Sequence, residues 1–316
     1  MPVTQNNYNQ WIPVEYSPDV IQRVKQMSAV IAYGQNVPMS TESRSTPRSG
    51  GVTMGGIAKG GDYGQDTTTA NDAVWLYAQK YGGAVPIAEE DLNDSLADIV
   101  NAKTNDAATS FAKLFDNSCL GVTAAKAATG WAFDSLYYIL SQSDASTGYT
   151  ANANITQTAT GGPTLTYANT RAPLAKLEQG DYFDPGGTVV IAHPAFADGL
   201  RGVVDNQGRP IFNESTNGVA GGGQGTTPTL FGHPLHFSLG AKTAATPTPT
   251  PTGNPLMIVC SASYLYVGNR EPLSVQAIDG NTGLGALTDT SYLKFRARKA
   301  FAPGHENAFA ILEWRQ

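Results

Sequence analysis

The chain holds several residue groups whose types and spacing could do chemistry. Glu89, Glu90, Asp91, Asp94 and Asp98 could serve as paired carboxylates for proton transfer. Gly55-Gly56-Ile57-Ala58-Lys59-Gly60 has the outline of a phosphate loop, but no Ser or Thr follows the lysine to reach a magnesium ion. His233 and His236 are the only close histidine pair, without a third cluster of ligands to complete a metal site. No Gly-x-Ser-x-Gly elbow is present, and Gly221-Gly222-Gly223-Gln224-Gly225 lacks the spacing and βαβ setting of a dinucleotide loop. The sequons at Asn154 and Asn213 lack a secretory context. The expectation is therefore no catalytic residue, no metal and no cofactor. Five acids within three helical turns read better as a solvated or partner-facing surface.

The elements around these residues explain why. The 316 residues include 34 glycines and 19 prolines, and only 15% are charged, against about 25% in an average domain. With 41% apolar residues the chain still folds, as a β-containing protein rich in turns and loops, of roughly two domains. A coiled coil, a simple helical bundle and acidic disorder are excluded by this composition. The net charge of −6 argues against a tight, sequence-reading nucleic-acid binder. Cys119 and Cys260 read as free thiols of an intracellular product, and the N-terminus shows neither a basic region nor an apolar core of a signal peptide. No apolar stretch is long enough for a membrane helix.

Residues 1–49 read as an arm bearing one amphipathic helix from Pro18 to Ile31. Gly50 to Gly83 reads as a two-stranded excursion with too little apolar material for its own core, so it must lie on another domain or subunit. Three acids after Val85-Pro86-Ile87-Ala88 open a helix, and Leu92, Leu96, Ile99, Ala107, Phe111 and Leu114 continue it at helical spacing. The pattern predicts a single helix of about 28 residues, about 40 Å long. Residues 141–166 suggest a hairpin or mobile loop, and 169–177 a short helix. Strand 188–192, helix 195–204 and the Asp205–Gly208 turn follow. Gly218–Gly225 and the Thr-Pro run Thr246–Thr252 are loops, the latter held extended by its prolines. Leu256–Cys260 and Tyr264–Val267 look like paired strands, and strands over 294–301 and 308–312 close the chain. Lys294, Arg296 and Arg298 alternate onto one face of their strand, a basic counterpart to the acidic helix opening.

In collinear order, these elements resemble the major capsid proteins of tailed bacteriophages of the Hong Kong 97 type. The likeness is carried by Ile12-Pro13 with the arm helix and Val37-Pro38-Met39, and by the Gly-rich hairpin. It continues in Val85-Pro86-Ile87-Ala88-Glu89-Glu90-Asp91-Leu92-Asn93-Asp94-Ser95, which is similar to the entry of that family's spine helix. His193-Pro194-Ala195-Phe196 with Asp205-Asn206-Gln207-Gly208-Arg209, Phe231-Gly232-His233-Pro234-Leu235, and the closing strands complete it. Departures lie at Cys260-Ser261-Ala262-Ser263-Tyr264 and in the expanded stretches 141–166 and 218–253.

The resemblance implies an α+β Hong Kong 97-type capsid fold. Its parts are an N-terminal arm (1–49), an extended loop (50–84), a peripheral domain with a long spine helix (85–178 and 276–316) and an axial domain (179–275). It implies a head protein that assembles into hexamers and pentamers around double-stranded DNA, in a virion built in the host bacterial cytoplasm. Implied partners are further copies of itself, a separate scaffolding protein, a portal, a decoration protein and non-specifically held DNA, with no membrane. Lys59, Tyr63, Glu89, Glu90, Asp94, Arg296 and Arg298 are the expected intersubunit contacts. A few relatives cross-link a loop lysine such as Lys59 to a neighbour's asparagine, but spacing locates neither that Asn nor a catalytic Glu. Two other readings are an encapsulin-like compartment for protein cargo and a secreted polysaccharide-active enzyme using the Thr-Pro run as a linker.

Overall fold

Three apolar runs, Thr188–Ala192 (β6), Leu256–Ser261 (β10) and Phe309–Glu313 (β13), are buried at every position. Strands buried on both faces lose the apolar–polar alternation, because each face packs its own layer. In the computed structural model they form the centre of a seven-stranded sheet. Its remaining members are Ile155–Gln157 (β5), Phe212–Asn213 (β7), Thr229–Leu230 (β8) and His233–Phe237 (β9), in the order β5-β13-β10-β6-β9-β8-β7. The structure describes residues 22, 27–52, 54–65, 72–94, 98–159, 161, 164–205, 207–209, 211–213, 228–278 and 288–315.

Val189, Ile191, Leu256, Ile258, Cys260, Phe309 and Ile311 point to one side of this sheet, into a core shared with Phe115, Leu120 and Phe301. Val190, Ala192, Met257, Val259 and Leu312 point to the other. There they meet helices Tyr167–Glu178 (α6) and Ala195–Arg201 (α7) through Leu174, Leu177, Phe196 and Leu200.

A second sheet has four strands in the order β1-β11-β12-β4, namely Gln35–Pro38 (β1), Gln79–Ala88 (β4), Leu265–Ile278 (β11) and Thr290–Pro303 (β12). One face packs against helix Ile99–Leu120 (α3), with Ile87, Leu293 and Phe295 meeting Ile99 and Ala107. A two-stranded unit of Ser43–Arg48 (β2) and Asp72–Tyr77 (β3) covers part of the opposite face, where Met39 and Leu76 pack on Ala300 and Ala302. Further helices are Ala29–Tyr33 (α1), Glu89–Asp94 (α2), Lys126–Thr129 (α4) and Leu136–Ser141 (α5).

Several expectations change. The single helix from Glu89 is two helices: α2 ends at Asp94, and α3 starts at Ile99, capped by Asp98, whose carboxylate accepts from the Asn101 N–H at 3.0 Å. An aspartate in that capping geometry satisfies an orphan amide, so the helix restarts there. Leu92, expected on the buried stripe of the one helix, is exposed. Leu256–Cys260 does not pair with Tyr264–Val267. A one-turn 3₁₀ segment at Ala262–Tyr264 carries the chain from the seven-stranded sheet into the four-stranded one. Of the hairpin or loop expected over 141–166, a short antiparallel turn is present, with Asp144 and Tyr149 exchanging both backbone hydrogen bonds at 3.0 Å. Strand β5 adds in parallel to β13.

The hairpin expected over 50–83 is rooted earlier, because β3 pairs with β2, within the expected arm, and not with the described residues after Gly50. The Thr-Pro run is no free linker: the Thr248 N–H donates to Asn117 Oδ1, and the Asn117 amide holds the carbonyls of Gly240 and Lys242 at 3.0 and 2.9 Å. That docking removes the support for the polysaccharide-enzyme reading. Most of the arm helix from Pro18 and the Gly218–Gly225 loop lie outside the described residues. Among the described residues no helix is long and apolar enough to cross a membrane.

Candidate intersubunit surface

Two buried polar hubs fix how the arm and the extended loop leave the body. The first is Asp116, fully buried on α3. It accepts the Ser28 hydroxyl, the Ser238 hydroxyl at 2.5 Å, and the backbone N–H groups of Ala29 and Val30 at 3.0 and 3.3 Å. Burial pushes its pKa up and these donors pull it back. Ser28 also caps α1 by accepting from the Ile31 N–H. Gly240 lets the chain after Ser238 pass this close, since a Cβ there would lie 2.7 Å from the Asp116 Cβ. Asp116 therefore ties the arm, the spine helix and the turn after β9 to one point.

The second hub is Arg48, at the end of β2 where the loop begins. It stands opposite Asp72 in the β2–β3 register. Its guanidinium donates to both Asp72 oxygens, reaches Asp144 and Glu306 at 3.3 Å each, and donates to the Gly304 carbonyl at 3.4 Å. The hydrogen bonds from Arg48 hold the Asp72 carboxyl below the ordinary value, against some desolvation. His305 beside it stacks on Tyr182 with ring centroids 3.8 Å apart. Burial lowers its pKa, and its Nδ1 accepts the Asn307 N–H as a neutral ring would. One cation thus fastens both strands of the loop's base to the body.

From that base, the described residues of 49–65 run without regular structure and are all exposed. Ala58–Gly61 makes a turn, with the Gly61 N–H on the Ala58 carbonyl at 2.8 Å, and Gly60 supplies the φ of +82° that glycine adopts without strain. Lys59 sits at this turn. Met54 is 89% and Tyr63 88% exposed, with Val52 and Ile57 also exposed.

The charged candidates sit elsewhere. Lys294 and Arg296 are exposed and Arg298 is partly so, on the face of β12 opposite α3, while Leu293, Phe295 and Ala297 between them are buried. Arg296 and Arg298 share Glu271 at 3.2 and 3.7 Å. Glu89, Glu90 and Asp94 lie on α2 beyond the far end of β4, where Ala88 stands opposite Thr290. Four residues separate Thr290 from Lys294 and six from Arg296, about 14 and 20 Å of strand, and no ion pair joins the two groups among the described residues. The acidic and basic groups are therefore not brought together within one chain. His233 and His236 do not converge either: His236 Nδ1 meets the Tyr33 hydroxyl at 2.8 Å, and His233 lies edge-on to Phe183. Among the described residues no group of His, Cys, Asp or Glu could hold a metal ion.

Sequence reasoning missed Arg48 and Asp116. Asp116 had a signal, an acid inside the apolar stretch Phe111–Leu120; Arg48 had none, since its partners come from three distant segments.

The family model of the phage capsid family matches residues 10–314. The chain belongs to the phage capsid family. Solved structures share the fold across nearly the whole chain. One from Mycobacterium phage Bobi aligns with a TM-score of 0.72 at 16% identity, covering 97% of each chain. One from Microbacterium phage Oxtober96 aligns at 0.69 and 19% identity, again with 97% of each covered. The capsid of a native GTA particle aligns at 0.69 and 13% identity, covering 99% of this chain and 100% of that one. No curated protein matches the sequence. This phage capsid protein thus has the mixed helix-and-sheet Hong Kong 97-type fold and is a structural protein of the virion. The encapsulin-like reading is not favoured by these matches.

Proposed function

We propose that this capsid protein assembles as hexamers and pentamers into an icosahedral head enclosing double-stranded DNA. In this reading it is not an enzyme, and the head is built in the host cytoplasm with a separate scaffolding protein, a portal and a decoration protein. The peripheral part takes residues 85–178 and 276–316, including the spine helix. The axial part takes residues 179–275.

One observation carries the assembly reading: a loop presenting Val52, Met54, Ile57 and Tyr63 to solvent leaves a base locked by Arg48. Apolar side chains held out from a fixed base bury their surface only against another molecule. The same loop on every copy gives a head-to-tail contact that closes a ring when the rotation closes. Many such contacts on one neighbour add avidity. Lys59 and Tyr63 are the loop residues proposed to touch that neighbour, and the acidic surface suits a container that must not grip its DNA tightly.

Negative-stain microscopy of the purified chain tests this. Ring-shaped oligomers or closed shells are expected. Deleting residues 52–70 should leave a monomer with near-native circular dichroism and no shells. A wild-type chain that stays monomeric under all conditions overturns the reading, as does a deletion variant that still forms shells.

A further inference from the structure

The face of the four-stranded sheet turned away from α3 is only partly covered. The β2–β3 unit packs over its Ala300–Ala302 end, and the stretch from Tyr292 to Arg298 lies open. Strands β4, β11 and β12 together carry six cations, Lys80, Arg270, Lys294, Arg296, Arg298 and Lys299, against the single acid Glu271. Lys299 is buried and bonded to Asn269, but Lys80, Lys294, Arg296 and Arg298 share the open face.

This arrangement is unfavourable for a lone subunit. Arg298 stands directly opposite Lys80 in the β12–β4 register, and like charges in that position repel. Glu271 is divided between two arginines, while Lys80 and Lys294 have no acid partner among the described residues. Arg298 Nε is buried and makes no hydrogen bond. Its nearest acceptor, Glu271, stands 3.7 Å away, beyond hydrogen-bond range, so the one acid on this face compensates its cations incompletely. Opposite Arg296 and Lys294 stand Gly82 and Ala84, so the face between the long cations is shallow enough for a helix to approach.

The complementary surface is on the same chain. Helix α2 carries Glu89, Glu90, Asp91 and Asp94 and no cation, and none of the four is ion-paired among the described residues. Acids and cations lie at different places along one strand pair, and no ion pair joins them within the chain among the described residues. We infer that the open basic face formed by Lys80, Lys294, Arg296 and Arg298 is the docking surface for the acidic helix α2 of a second copy. The contact is heterologous, each subunit giving its acids to one neighbour and its cations to the other, as a ring requires. Charge matching of this kind sets register and excludes wrong docking more than it adds affinity. Packaged DNA would also be drawn to cations, but four of them around a shared acid make a small footprint for a polyanion, and α2 supplies matching charge in equal number.

This inference rests on the assembly reading, so the test starts from wild-type particles; a chain that forms none fails that reading and not this one. Particle yield is measured by sedimentation and microscopy at about 0.1 M and about 1 M salt, where screening lengths are about 10 and 3 Å. The variants are Arg296→Gln with Arg298→Gln; Arg296→Glu with Arg298→Glu; Glu90→Lys with Asp94→Lys; and the last two combined. Circular dichroism checks that each folds.

The glutamine pair should lower yield about threefold and the glutamate pair about tenfold at the lower salt, with smaller losses at the higher. The α2 pair should lose a similar amount, and the combined charge swap should recover most of the yield. Wild-type yield from the arginine variants at low salt overturns the inference. A swap that restores nothing overturns α2 as the occupant. Normal assembly without DNA, with the deficit confined to DNA-filled particles, assigns the face to nucleic acid instead.

Discussion

The strand Leu256–Ser261 and the loop over residues 49–65 both carry apolar side chains, and the structure treats them oppositely. All six residues of the strand are buried between two layers of the same chain. In the loop, Val52, Met54, Ile57 and Tyr63 face solvent. Burial of apolar surface is the main favourable term in both folding and association, so the difference lies in when each region is removed from water. The strand is buried when the chain folds, and the loop only when copies meet. The two regions should therefore respond differently to truncation: the first in subunit stability, the second in assembly alone.

The largest effect is expected at the centre of the seven-stranded sheet. Phe309 is fully buried and packs in the core between that sheet and α3. Phe309→Ala removes its contacts and leaves a cavity, costing about 3–5 kcal/mol. Chemical denaturation followed by circular dichroism should show a midpoint far below wild type. A cost under about 1 kcal/mol would mean that this sheet is not where folding stability resides.

A smaller effect is expected at the boundary between the two regions. Arg48 holds the loop's base against Asp72, Asp144 and Glu306, with His305 and Tyr182 packed alongside. The Asp72 carboxyl is lowered in the folded state, first by its hydrogen bonds from Arg48. A lowered folded-state pKa means that the contribution is full above the ordinary carboxylate value and is lost as pH falls through the lowered one. Below about pH 4 the clamp should therefore loosen while the core stays folded. Limited proteolysis with an acid-active protease, or hydrogen exchange, should show residues 49–65 opening first. Arg48→Ala should open them at neutral pH at a cost of about 2 kcal/mol, and flatten the dependence on pH. Equal protection of the loop in both proteins would remove Arg48 as the clamp.

The same contrast governs how much could be read from the sequence. The runs at 188–192, 256–260 and 308–312 announce buried strands, because a strand covered on both faces needs apolar residues at successive positions. Their partners were not legible: nothing local to Ala262–Tyr264 says that the chain changes sheets there. The break in the long helix turns on one capping carboxylate, Asp98, which helical periodicity outweighed. On the surface, the alternation of Lys294, Arg296 and Arg298 was legible as a face, but Glu271 between two of them was not, because it arrives from another strand. The Gly-rich loop was recognisable as material that cannot bury itself. Its anchor was not, since Arg48 gains its role only when Asp72, Asp144 and Glu306 converge from separate parts of the chain.

The smallest effect on the subunit belongs to the loop itself. Met54→Ala with Tyr63→Ala removes two large side chains that rest on nothing in the isolated chain, so denaturation of the monomer should shift by no more than about 0.5 kcal/mol. Assembly should respond very differently, because each truncated side chain is lost from every loop contact in a ring and the deficits combine through avidity. Particle yield is expected to fall steeply in microscopy and sedimentation, at all salt concentrations, since the lost contacts are apolar and screening leaves them unaffected. A double variant that assembles normally would show that the loop is a solvent-facing appendage. One that lowers monomer stability by a kcal/mol or more would place Met54 and Tyr63 in the subunit's own packing, and would erase the distinction between surface buried by folding and surface buried by association.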